Sequence, residues 1–321
     1  MACGALSYGE ALSLKKKIAI VGTGIAGMAC ADRLKGQFDV RVFEKNDYVG
    51  GHTNTVEVEE EGRRVPIDTG FMVYNETTYP LLTLLFKRLD VPTKPTKMSF
   101  SVQHIPSDLE FAGTGWSGLF AQRRNIFRKK HWALLKEINR FNTVCLEVLT
   151  RSDLDGLSLS DYCDLRGFSS DFRDFYLVPM SSAVWSSSSS AMLDFPAKTL
   201  VRFFSNHRFL SLHGQLAWRT VEGGSRVYRD KLIESFKNRI TLNSQIAAIF
   251  DDGHHVIIRM GDGEESHFDA VVLATHADQA LALMERPTEL QRRLLGRWRY
   301  QSNTATLHTD RSVMPRARRA W

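Results

Sequence analysis

Gly22, Gly24 and Gly27 stand in the run Gly22-Thr23-Gly24-Ile25-Ala26-Gly27, a spacing that lets a backbone lie against phosphate groups. The first glycine permits a tight turn. The second lets the main chain approach a pyrophosphate, and the third allows a helix to pack closely on a strand. About twenty residues further on, Glu44 and Lys45 follow an apolar segment, as the ribose-binding acid of such a site does. A carboxylate there accepts hydrogen bonds from a ribose 2′-hydroxyl and repels a 2′-phosphate. The chemistry expected of these residues is binding of a dinucleotide without a 2′-phosphate. A glycine-rich turn holding no ligand is the simpler alternative, and the flanking sequence weighs against it.

That context is a strand, a turn and a helix. Ile18-Ala19-Ile20-Val21 is a continuous apolar run suited to a buried parallel strand, Met28 to Lys35 reads as a helix, and Phe38 to Glu44 is a second strand. The unit is βαβ, with an expected right-handed crossover. The helix N-terminus offers free N–H groups and a positive dipole end to phosphates. Strands are further expected at Thr55–Glu59 and Arg64–Ile67, and a helix over Thr78–Leu89. From about Met98 the texture changes, with helical patterns in Gly118–Leu149, Leu159–Leu165 and Lys198–Phe204. Near Arg239 it reverts to strands at 240–242, 246–249, 255–259 and 268–275. The expected organisation is a short extension over 1–14, a discontinuous dinucleotide-binding domain from 15–95 and 239–280, and an inserted α+β substrate domain from 96–238 and 281–321. Ser186–Ser190 reads as a loop.

Val49-Gly50-Gly51-His52 separates FAD from NAD. A nicotinamide enzyme has no need of a glycine pair so soon after the ribose acid. A flavoprotein uses one to run its backbone past the FAD phosphates and ribityl chain. Asp68-Thr69-Gly70-Phe71 follows a short strand, where Thr69 and Gly70 are expected to pass close to the flavin ring.

Together, Gly22–Gly27, Glu44 and Gly50-Gly51-His52-Thr53 resemble the flavin amine oxidase and carotenoid desaturase superfamily. Four further stretches resemble one subgroup of it: Asp68 to Asn75, Met98 to Val102, Phe120 to Asn125, and Ala274-Thr275-His276-Ala277-Asp278. This subgroup comprises bacterial NAD/FAD-binding amine-oxidase-like proteins, also found fused ahead of the methyltransferase in plant cyclopropane fatty acid synthases. The resemblance runs from about Lys16 to Trp321. It implies FAD, a glutathione-reductase-like FAD/NAD(P)-binding Rossmann domain, and an oxidase or desaturase role. The alternative it leaves is a non-catalytic flavin-binding partner of a lipid-modifying methyltransferase. It further implies that His52 stands where many relatives have arginine. Ile246 would recognise adenine through its backbone, and Ala274 and Thr275 would lie near the pyrophosphate. Superfamily members close the site with a late glycine-rich segment and a helix. This sequence carries neither before Trp321, so the last strand and helix of the FAD domain are expected to be missing.

Composition narrows the field. The 321 residues are 43% hydrophobic and 24% charged, enough for a sizeable core and unlike a disordered chain. A net charge of +6 suits anionic ligands, but no basic stretch carries the interleaved aromatics of a nucleic-acid platform, and no nucleic acid is expected. Cys3, Cys30, Cys145 and Cys163 form neither a disulfide framework nor a metal-ligand spacing, so no metal and a reducing, cytoplasmic setting are expected. The start lacks a signal-peptide pattern, and no apolar run is long enough to span a membrane.

A flavin takes a hydride at N5, so few catalytic side chains are needed. Tyr74 and Asn75, after the Thr69-Gly70 loop, are the first candidates for ring or substrate contact. His276 is a further one, although its simpler role is to cap the next helix. His104, His213 and His308 rank below these. Val178–Trp185 and Gln215–Trp218 could wall a pocket for an amine or a lipid-like substrate, and Glu222-Gly223-Gly224-Ser225 is expected to return the chain to the flavin. Arg123, Arg124, Arg128, Lys129, Lys130 and His131 form the densest basic cluster, among Phe120, Phe127, Trp132 and Leu135. A solvated helix face is its simpler reading, and a peripheral contact with anionic membrane the sharper one.

Overall fold

The computed structural model describes residues 15–211 and 216–321. The 1–14 extension, Cys3, His213 and Gln215 therefore lie outside the described residues. Two compact units divide the chain. One comprises residues up to Met72, Phe86–Pro92 and Val221–Tyr300; the other comprises Val73–Leu85, Thr93–Thr220 and Gln301–Trp321.

The first unit is built on β1 (Lys17–Val21), α1 (Ile25–Leu34) and β2 (Asp39–Phe43). Its parallel sheet runs Ile240–Thr241, β2, β1, Ala270–Leu273, with Ile18 opposite Val40 on one side and Ala270 on the other. An interior strand covered on both faces must be apolar at every position. Ala19 and Ile20 in β1 and Val42 in β2 are accordingly fully buried. Each larger side chain so buried contributes about 1.5–3 kcal/mol of transfer free energy. An antiparallel sheet of Ile246–Asp251, Val256–Met260 and Glu265–Phe268 packs its Ile249, Ile258 and Phe268 against Ala19, Val21 and Phe43. The hairpin of β3 (Thr55–Glu60) and β4 (Arg63–Asp68) turns at Glu61-Gly62, both at positive φ.

Three expectations change here. Phe268–Thr275 is not one strand: it breaks at Asp269, whose carboxylate accepts the Lys17 N–H at 2.7 Å. The residues before the break pair antiparallel with Val256–Arg259, and those after it pair parallel with β1. The first unit also begins again at Val221 rather than near Arg239. The helix Arg226–Ile233 packs on α1, and Tyr228 is hydrogen-bonded to Thr53. Residues 281–300 belong to the same unit, because the Tyr300 hydroxyl accepts the Ala277 N–H at the start of helix Ala277–Leu283.

The second unit is mainly helical. Its core brings Phe141 of helix Lys129–Val144 together with Tyr162, Phe168, Phe172, Leu177, Leu200 and Phe204. Ser158 and Asp161 form a reciprocal cap that starts Leu159–Leu165. Cys145 and Cys163 are free thiols inside this core, and burial pushes them up to about 12 and about 11. They are packing residues rather than nucleophiles. The serine run is not all loop: Ser186 is left-handed, but Ser189 already begins helix Ser189–Leu193. Among the described residues, no helix is long and apolar enough to cross a membrane.

Asp32 is the charged exception on the buried face of α1. Burial pushes its carboxyl up, but hydrogen bonds and charge from Lys35 and Arg88 outweigh this and hold it below the usual carboxylate range. A depressed folded-state value gives stability that is present above the unfolded value and lost on acidification. Asp32→Asn is expected to lower unfolding stability by about 1–3 kcal/mol at neutral pH, the range for hydrogen bonds to charged groups. The difference from wild type should shrink below about pH 4, as read by chemical denaturation across pH. A gap independent of pH would remove the ionic explanation.

Candidate functional site, a dinucleotide cradle

The cradle lies wholly within the first unit. Gly22 sits at φ +104°, its N–H donates to the Phe43 carbonyl, and a β-carbon there would come within 2.6 Å of the Ala274 oxygen. At Gly27 a β-carbon would lie 1.9 Å from the Gly22 carbonyl oxygen, so only glycine lets α1 pack this closely on the turn. Gly24 differs from both. It is the N-cap of α1, no side chain caps that helix, and a β-carbon on Gly24 would meet nothing within 4 Å. The first N–H groups of α1 therefore face open space, with Ile25 and Ala26 exposed beside them. A pyrophosphate fits this arrangement, since it would satisfy the helix N-terminus and its dipole together.

Thr23 joins the parts of the cradle. It is fully buried, and both its N–H and its hydroxyl donate to Glu44 Oε2. The same hydroxyl accepts the Gly50 N–H at 3.2 Å. Glu44 is buried too, and its Oε1 accepts the Asn46 N–H. Three protein hydrogen bonds occupy most of the roughly four acceptor positions of a carboxylate, which leaves room for about one ribose hydroxyl. Lys45 is exposed next to it. Gly50 and Gly51 both have positive φ, and a β-carbon on Gly51 would stand 3.3 Å from the Gly24 Cα. The second glycine pair thus lies directly on the fingerprint turn. Sequence reading passed over Thr23; a buried hydroxyl at the first variable position of the fingerprint was the available signal.

Other expected site residues take different places. A β-carbon on Gly70 would meet the His52 carbonyl oxygen at 2.2 Å, and that same carbonyl accepts the Phe71 N–H. Packing on His52 by itself demands glycine at 70. Thr69 is exposed, its hydroxyl accepting from Asn54. The Gly223-Gly224 turn is held by Asp68, whose carboxylate accepts both the N–H and the hydroxyl of Ser225. It closes on the β3–β4 hairpin. His276 is the N-cap residue of its helix, but its side chain makes no capping bond. Its ring stacks at 4.2 Å on Tyr300, with His52 on a second side at 5.9 Å. Ile246 is half-buried at an irregular point of its strand, and Ala274 and Thr275 border Gly22 and Gly27.

Tyr74 and Asn75 lie in the second unit. Both are buried in a two-residue strand opposite Arg219 and Trp218. Asn75 Oδ1 accepts from the N–H and hydroxyl of Thr78, a turn-forming role. Trp218 itself stacks with His207 in an aromatic group that includes Phe209. Val178–Trp185 does help to wall a cavity of about 390 Å³ in this unit, between Phe100, Val102, His104, Asp174, Pro179 and Ala183. One grouping was invisible in the sequence: Asp252, His255 and His267 are exposed, with potential ligand atoms all within 4.8 Å of one another.

The Thr23 bridge makes a direct prediction. Thr23→Val keeps the shape but leaves Gly50 N–H and one Glu44 oxygen short of a partner, at about 1–3 kcal/mol. Flavin content per protein should fall about tenfold under limiting FAD, with a lower Tm, and Thr23→Ser should restore both. Wild-type flavin affinity in Thr23→Val would show that the bridge does not shape the cradle.

Comparison with known proteins agrees with this geometry. The chain is similar in structure to wild-type putrescine oxidase bound to putrescine, with a TM-score of 0.66 and 18% identity over 88% of this chain and 63% of that one. Cyclohexylamine oxidase from Brevibacterium oxydans IH-35A gives 0.64 and 19% over the same shares. A fatty acid isomerase from P. acnes gives 0.56 and 16%, over 89% of this chain and 64% of that one. The chain thus spans less than two thirds of the length of these structures. A 44-residue stretch is 54% identical to 1-hydroxycarotenoid 3,4-desaturase of Flavobacterium sp. (strain P99-3), covering 13% of this chain and 9% of that protein. The fold is that of the FAD-binding oxidases, and FAD is the dinucleotide that the cradle fits. The family model described as flavin containing amine oxidoreductase matches residues 25–318, and the chain belongs to that family.

Proposed function

We propose that this chain forms the flavin-holding part of an FAD-dependent oxidoreductase that oxidises a C–H bond of an amine or lipid-like substrate. The observation that carries the reading is the open N-terminus of α1 at Gly24, bound through Thr23 to both Glu44 and Gly50. FAD bound there supplies a two-electron acceptor that takes a hydride from the substrate carbon. The chain's own residues hold and orient: the α1 N–H groups take the pyrophosphate, Glu44 the ribose, and Gly50-Gly51 lets the backbone pass. The substrate carbon loses a hydride and a proton leaves its neighbouring atom, giving an imine from an amine or a double bond from an acyl chain. Turnover of a bound FAD would need a further electron acceptor.

Substrate chemistry is argued from the cavity of the second unit. Its volume of about 390 Å³ falls in the usual range for small-molecule sites. Phe100, Val102 and Pro179 suit an alkyl portion, and the Asp174 carboxylate suits a cationic amine. The fatty acid isomerase among the structural relatives keeps an acyl substrate in view.

Protein reconstituted with FAD should show the flavin visible bands, and anaerobic addition of substrate should bleach them. Bleaching by alkylamines but not by unsaturated fatty acids selects the amine branch, and the reverse selects the lipid branch. Bound flavin that no amine or lipid reduces, while it reduces readily with dithionite, would replace turnover with the role of a flavin-binding partner to a lipid-modifying methyltransferase. Protein that takes up no flavin would end the proposal.

A further inference from the structure

We propose that the surface formed by residues 113–133 docks on an anionic lipid bilayer. The segment contains helix Gly115–Leu119, a 3-10 turn at Arg123–Phe127 and the start of helix Lys129–Val144. It leaves large apolar side chains in water: Phe127 is 88% exposed, Trp116 70% and Ile126 41%. Burying them in the interior would be the usual outcome, and a group of exposed large apolar residues marks an interaction surface.

These side chains are fixed rather than loose. Trp116 stacks on the buried Phe120 at 5.8 Å with nearly parallel planes, and Trp132 lies against both rings. The Trp132 indole N–H donates to the Ile126 carbonyl at 2.8 Å, tying the 3-10 turn to the helix. Aromatic rings that carry a polar edge suit the headgroup level of a bilayer.

Charge selects the partner. No Asp or Glu occurs from Gly113 to Lys136, whereas Arg123, Arg124, Arg128, Lys129 and Lys130 are all exposed there. Arg124 pairs with Asp108, but the other four make no ion pair among the described residues. Lys129 and Lys130 also open a 16-residue helix that has no acidic residue in its first turn and no side-chain cap. Cations at a helix N-terminus oppose the helix dipole, and an external anionic surface relieves that opposition. His131 drops out of the cluster, since it is buried, its Nε2–H donates to the Leu119 carbonyl, and burial lowers its pKa. Leu135 is only half-buried, and Phe120 serves as the floor of the platform. Exposed aromatics flanked by unpaired cations, with no acid between, match an anionic lipid headgroup layer better than a protein face.

The full chain should co-sediment with vesicles of phosphatidylcholine containing phosphatidylglycerol, and not with phosphatidylcholine alone. Binding should fall steeply with salt. Lys129→Gln with Lys130→Gln should weaken it about tenfold or more, and Phe127→Ser by about tenfold. Both variants change exposed side chains, so unchanged circular dichroism and Tm should accompany the loss. Absence of binding at low salt, or binding that neither variant alters, would overturn the proposal. A concentration-dependent dimer in sedimentation velocity that Phe127→Ser dissociates would assign the surface to a second copy instead. None of these readouts depends on flavin, so their failure and that of the redox reading are separable.

Discussion

The buried contact between the Thr23 hydroxyl, the Glu44 carboxylate and the Gly50 N–H is the constraint on which the dinucleotide cradle depends. Three separate stretches meet there: the fingerprint turn, the end of β2 and the second glycine pair. Each stretch alone would carry a buried polar group without a partner, which costs more than the net gain of an average hydrogen bond. Meeting at one hydroxyl satisfies all three and fixes the turn before any ligand arrives. Preorganisation of this kind lowers the ordering cost of binding.

The surrounding glycines then divide by physical cause. Gly22, Gly27, Gly50 and Gly70 are crowded by backbone oxygens of the protein itself, and a side chain at any of them would collide with the fold. Gly24 alone among them faces open space. This separates the glycine that leaves room for a ligand from those that let chain pack on chain. The second glycine pair belongs to the same structure: a β-carbon on Gly51 would stand 3.3 Å from the Gly24 Cα, so the pair lines the fingerprint turn.

Much of this was legible in the sequence. The βαβ unit, the fingerprint and Glu44 could be read because apolar runs, glycine spacing and the distance to the acid are local patterns. The hairpin at Glu61-Gly62 and the helix Leu159–Leu165 were legible for the same reason. What escaped depended on contacts across the chain. The packing of Gly70 on His52 could not be read because His52 precedes it by a turn and a hairpin. Asp68 looked like part of a flavin loop, yet its carboxylate is taken by Ser225. The split at Asp269 was hidden because Phe268 reads as continuous with the apolar run Ala270–Leu273, and the break is set by the contact of Asp269 with the Lys17 backbone far away in sequence.

The same reasoning explains why the two faces of the basic segment part company. His131 and Phe120 share its composition with Lys130 and Phe127, and composition alone gives all four one role. Helical position decides otherwise. His131 and Leu134, three residues apart, turn inward with Phe141, seven residues beyond Leu134, while Lys129, Lys130 and Trp132 turn outward. Phe127 sits before the helix, in a turn where no core reaches it, and its exposure follows from the backbone rather than from any polarity of its own. A segment whose apolar residues were all spacing-matched to the core would need no partner. Here the mismatch lies at Trp116, Ile126 and Phe127, ahead of the helix and beside the unpaired cations, and that coincidence of unburied apolar surface with unneutralised charge is what distinguishes a docking face from an ordinary solvated helix.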